Sequence, residues 1–81
     1  MGINYNTVVS QADDIMDLSS SINREIINLE SLLARIGSEW QGPASDAFQN
    51  QLRSVVKEMK NTKGSIANLS NYIKNVANDL K

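Results

Sequence analysis

The chain has 81 residues and a formal net charge of −1, and it contains neither cysteine nor histidine. One small domain with limited buried surface is therefore expected, with no disulfide to reinforce it, no thiolate or imidazole set for zinc, and no histidine general base. Apolar side chains and association with another chain must carry the fold.

Met1 to Val9 shows no basic region followed by an apolar run, so no conventional signal peptide is expected. No apolar stretch is long enough to span a bilayer, and stable membrane insertion is not expected. From Val8 onward, Val8, Ala12, Ile15, Ile22, Ile26, Leu29, Leu33 and Ile36 recur in alternating steps of four and three, interrupted only by Ser19. This spacing predicts a helix over about residues 7–38, roughly 45 Å long at ~1.5 Å per residue, with Asn4, Asn6 and Thr7 as candidate caps.

Trp40-Gln41-Gly42-Pro43 then predicts a turn over about 39–43. Gly42 supplies unusual backbone geometry, and Pro43 suits a first helical turn, where its missing N–H is no loss. Trp40 continues the first apolar track four residues after Ile36. It is expected to lean on Ala44, Ala47 or Phe48 and close the end of the seam, with a partner-binding anchor as the other role open to it.

The second half repeats the period through Phe48, Leu52, Val55, Met59, Thr62, Ile66, Leu69, Ile73, Val76 and Leu80, predicting a helix over about 44–80. Facing residues of an antiparallel hairpin with this turn add to 81 or 82, which puts Ser19 and Thr62 in one polar layer. Gly64, nearby, costs about 1 kcal/mol of helix propensity relative to alanine. Residues 1–42 carry a net −4 and residues 43–81 a net +3. Folding back places Glu25 near Lys57 and Lys60, and the acids at 13, 14 and 17 opposite Lys63. The expected fold is thus all-α, a single antiparallel helix-turn-helix hairpin over residues 1–81.

A two-helix seam does not use all the apolar side chains. Val9, Met16, Leu18, Ile27 and Leu32 on the first helix, with Val56 and Tyr72 on the second, widen the stripe toward that of a bundle. The expectation is a hairpin dimerising into a four-helix bundle, with Val9, Met16, Leu18, Leu32, Val56 and Tyr72 as the dimer face. The partner would be an identical copy, giving a homodimer, or a homologous hairpin.

No glycine-rich phosphate loop, paired-acid site or nucleophile-base arrangement stands out, so neither an enzyme nor a cofactor is expected. Asp13, Asp14 and Asp17 read as a solvated helix face, because strong calcium sites need ligands converging from a loop. The basic half faces an equally acidic half once the hairpin closes, which argues against a nucleic-acid partner.

With Trp40-Gln41-Gly42 central between two heptad halves, the whole chain resembles the WXG100 family, the small ESAT-6-like proteins. Members are helical hairpins that form homodimeric or heterodimeric four-helix bundles and leave the cell, without a cleaved signal peptide, through type VII (ESX-like) secretion systems. The resemblance implies a secreted, non-enzymatic protein located outside the cell or at its surface. It would be a substrate, or a co-exported partner or adaptor. The partners implied are a secretion ATPase and an effector with a helical N-terminal domain. Trp40 and Gly42 take the signature positions. The export signal common in the family is a tyrosine followed after three residues by an acid, but here Tyr72 is followed by Val76 and Asp79 comes three residues later. Either a partner supplies the signal or a looser set serves, comprising Tyr72, Ile73, Val76, Asp79 and Leu80, with Trp40 as a further recognition residue. The alternative reading is an intracellular helical scaffold or regulatory dimer unconnected with secretion.

Overall fold

The structure, a computed structural model, describes residues 4–80 and the side chains of residues 4–79. Two helices account for nearly all of it: α1, Tyr5–Glu39, and α2, Pro43–Leu80. Among the three candidate caps Asn4 takes the role: its backbone is extended and its side chain accepts a hydrogen bond from the Thr7 N–H at 3.2 Å. That satisfies one of the amides a helix start leaves open.

At the other end, Trp40 leaves the helix in an extended conformation while its N–H still donates to the Ile36 carbonyl at 2.9 Å. Gly42 has φ +113°, a region that side chains with a Cβ rarely adopt, and Pro43 opens α2. The Asp46 N–H donates to the Gly42 carbonyl at 3.1 Å, and its carboxylate lies in the first turn, where the helix dipole favours negative charge.

The helices run antiparallel as a rod whose Cα atoms extend 62 × 15 × 14 Å. Ser70 Oγ donates to the Ala12 carbonyl at 2.6 Å and Ser19 Oγ to the Lys63 carbonyl at 3.1 Å. Both pairs of numbers add to 82, one of the two sums expected from the turn. Ala12, Ser19, Ile26 and Ile36 are the buried residues of α1, in line with its apolar track.

Helix α2 is rotated from its expected setting. Ser45, Val56, Ser70 and Ala77 are buried, with Gln49 and Lys63 half-buried in the same rows, whereas Phe48, Val55, Leu69 and Val76 remain 38–50% exposed and Thr62 is exposed. Leu52, Met59, Ile66 and Ile73 are half-buried and belong to both settings. The physical reason lies in side-chain size. Ala12, Ser19, Ser70 and Ala77 let the two backbones approach closely, and the two serine hydroxyls then reach carbonyls of the opposite helix. The polar layer accordingly pairs Ser19 with the Lys63 backbone and not with Thr62.

The charge pairing is also shifted from expectation. Lys60 Nζ meets Glu30 at 3.2 Å instead of Glu25, and Lys74 Nζ meets Asp13 at 2.6 Å. Lys63 Nζ donates to Asn23 Oδ1 at 3.0 Å and does not reach the acids at 13, 14 and 17.

Candidate association surface

A helix with heptad spacing carries its side chains in seven lengthwise rows. In α1 the row Ala12-Ser19-Ile26 points at α2. To one side of it lie Val8, Ile15, Ile22 and Leu29, and outside these Leu18 and Leu32. In α2, Val56, Ser70 and Ala77 point at α1, flanked by Leu52, Met59, Ile66 and Ile73 and then by Phe48, Val55, Leu69 and Val76. Reversing one helix reverses its row order, so both flanks fall on the same broad side of the rod. The opposite side holds the cross-helix polar contacts of Lys60 with Glu30, Lys63 with Asn23, and Lys74 with Asp13.

One side of the hairpin is therefore apolar along about 42 Å, taking ~1.5 Å per residue from Val8 to Ile36. Two helices about 10 Å wide make that face roughly 800 Å², the share each partner contributes to a standard specific interface. Gln11, Glu25 and Thr62 are the polar interruptions in its rows. Leu18, Ile27 and Tyr72 are 54%, 57% and 66% exposed, but Ile27 lies on the polar side.

The residues of the expected dimer face do not all lie on this apolar side. Leu18 and half-buried Leu32 lie on the apolar side, with Tyr72 at its edge. Val56, 6% exposed, is consumed by the seam between α1 and α2 and cannot serve another chain. Val9 and Met16 are half-buried on the opposite flank. Phe48, Val55, Leu69 and Val76, which the apolar track places in the internal seam, are exposed on the apolar side instead. Their signal was a second track, Gln49-Val56-Lys63-Ser70-Ala77, running one residue behind the apolar one.

Trp40 does lean on Phe48, with ring centroids 6.0 Å apart and planes at 44°, but it remains 54% exposed and does not seal the seam. The turn beneath it is held by polar contacts: Ser45 Oγ donates to the Trp40 carbonyl at 3.4 Å, and Gln49 Nε2 donates to Ser45 Oγ at 3.0 Å. The aromatic pair extends the apolar side to the turn end.

The C-terminal set divides. Tyr72, Val76 and Asp79, spaced by four and three, share an exposed strip of α2, and Ile73 is half-buried beside it. The side chain of Leu80 lies outside the described residues. This strip and Trp40 stand at opposite ends of the rod, about 50 Å apart from the length of α2, so one chain does not bring them together. On the polar side, Glu30, Leu33, Arg53, Val56, Lys57 and Lys60 line an open groove of about 380 Å³.

Among the described residues no group of three or more acids could hold a metal ion, and no helix is long and apolar enough to cross a membrane. Comparison with curated proteins and with solved structures finds no match. The family model WXG100, described as proteins of 100 residues with WXG, matches residues 1–81. With the match spanning the whole chain and Trp40 and Gly42 forming the turn of an extended helical hairpin, the chain belongs to the WXG100 family.

Proposed function

We propose that this chain is a non-enzymatic protein exported by a type VII secretion system as a substrate or co-exported partner, and that it acts by pairing with another helical hairpin into a four-helix bundle. Proteins of this family are small helical proteins associated with type VII secretion that pair with homologous helical proteins. The observation that carries the reading is the uncovered apolar side, with Phe48, Val55, Leu69 and Val76 half-exposed along one row of α2. A lone hairpin gains nothing from keeping such a stripe in water, whereas a second hairpin would bury it. Pairing head to tail would also set the Trp40 end of one hairpin beside the C-terminal strip of the other. A recognition feature for the secretion ATPase could be assembled there from residues that one chain holds about 50 Å apart. An effector with a helical N-terminal domain would use the same apolar side, and the exported protein would be free or held at the cell surface.

Val76 stands where the common export signal places an acid, and this favours a second reading, an intracellular scaffold or regulatory dimer. One experiment decides between them. Culture supernatants are compared with and without the secretion ATPase, with an abundant intracellular protein as lysis control. Recovery outside the cell only when the ATPase is present is expected, while retention inside in both strains would establish the scaffold reading.

A further inference from the structure

The groove of about 380 Å³ lies on the polar side, so a hairpin covering the apolar side would leave it open. Three cations and one carboxylate line it, those of Arg53, Lys57, Lys60 and Glu30. Lys60 is engaged by Glu30 at 3.2 Å. Arg53 donates only to neutral side chains, Asn50 at 3.1 Å and Gln49 at 3.3 Å. Lys57 has neither a hydrogen bond nor an ion pair among the described residues. Two exposed cations one helical turn apart thus have no carboxylate of their own. Apolar contact is available beside them. Half-buried Leu33 lines the groove, and Ile27, one turn before Glu30 on α1, is 57% exposed.

The cationic stretch is short. From Arg53 to Lys60 it covers about 10 Å of helix, at ~1.5 Å per residue. In the two rows that carry it, Asp46 and Asn50 flank it toward the turn, and Gly64, Ala67 and Asn71 follow Lys60. A nucleic acid or other long polyanion draws its affinity from many phosphate contacts, which so short a stretch with Glu30 in its wall does not supply. We infer that the groove is a docking site for an acidic amphipathic helix of another protein, one that carries two carboxylates a turn apart and an apolar side chain on the same face. Carboxylates at positions i and i+4 of a helix have the same spacing of about 5–6 Å as Arg53 and Lys57. Opposite charge selects the partner and sets its register, and Leu33 and Ile27 give its apolar side chain a surface to rest on. The site is independent of what covers the apolar side.

The test titrates the full chain, labelled for NMR, with a helical peptide of about 15 residues that bears leucines and two glutamates one turn apart on a single face. The comparison probes are the same peptide with glutamines in place of the glutamates, and inorganic polyphosphate. At about 20 mM salt the acidic peptide should shift the amide signals of residues 27–33 and 53–60, and about 500 mM salt should weaken its binding at least about tenfold. Arg53→Glu combined with Lys57→Glu should weaken binding at least about tenfold at low salt, and Lys57→Gln about threefold. Arg35→Glu, an equal charge reversal on the other side of α1, should change binding less than about twofold. Circular dichroism checks the helix content of each variant, and Lys57→Gln, exposed and without a partner, carries the test alone if the double variant loses helix. Equal weakening by Arg35→Glu would reduce the effect to net charge and overturn the inference. So would an absence of shifts at millimolar peptide, shifts centred on other residues, or equal shifts from the glutamine peptide. Polyphosphate shifting these amides where the acidic peptide does not would overturn it in favour of a polyanion site.

Discussion

Ser19 and Ser70 show how single side chains set the hairpin. Each hydroxyl is buried in the seam and donates to a carbonyl of the opposite helix, using the carbonyl's second lone pair. Among the described residues no buried side-chain nitrogen or oxygen lacks a partner, so these polar positions fix register without an unsatisfied group. Trp40 works differently. Half exposed and in tilted contact with Phe48, it contributes one aromatic edge and not a filled cavity. Trp40→Ala should therefore lower stability by about 1–2 kcal/mol, below the ~3–5 expected of a fully buried ring. Urea denaturation measures this, and a loss above about 3 kcal/mol would mean that the ring seals the seam after all.

For the elements, the informative comparison is between adjacent valines of α2. Val55 is 48% exposed on the apolar side, whereas Val56 is 6% exposed against α1. At protein concentrations low enough to keep the hairpin single, Val56→Ala should cost about 2 kcal/mol and Val55→Ala less than about 0.5 kcal/mol. Equal losses, or the reverse order, in denaturant titrations would put α2 back in the rotation expected from its apolar track. The caps are a simpler matter. Asn4 and the Gly42-Pro43 step end the helices for local reasons of hydrogen bonding and backbone angle, and those reasons can be read directly from residue types.

In the whole molecule, the buried apolar residues among those described are few and of modest size: Ala12, Ile26, Ile36, Val56 and Ala77. An isolated hairpin of this kind is expected to be marginal, with pairing supplying the remainder by mass action. At a free partner concentration 100 times Kd, the gain is about 2.7 kcal/mol. Thermal melts should thus show a midpoint that rises when a pairing hairpin is added. Leu69→Glu should abolish that rise while leaving the melt of the lone chain nearly unchanged, because Leu69 is 50% exposed in the single hairpin. A large drop in the lone chain's own midpoint would instead assign Leu69 to the internal seam. Much of this architecture was legible in advance. The two helices, the turn at Trp40 to Pro43, a register sum of 81 or 82 and a surplus of apolar side chains all follow from spacing and residue type. The candidate face is legible only in part, because spacing marks Leu18, Leu32 and Tyr72 as surplus but places Val55 and Leu69 in the seam.

What the sequence by itself determined is whatever depends on local geometry. Heptad spacing makes the helices, glycine and proline make the turn, and the position of the turn sets which layers meet. Which stripe of α2 turns inward was decided only in the tertiary structure. The two candidate stripes share Leu52, Met59, Ile66 and Ile73, so periodicity alone cannot separate them. The small side chains of Ala12, Ser19, Ser70 and Ala77, with two interhelical hydrogen bonds, selected the smaller and more polar stripe. The larger apolar stripe was left facing outward.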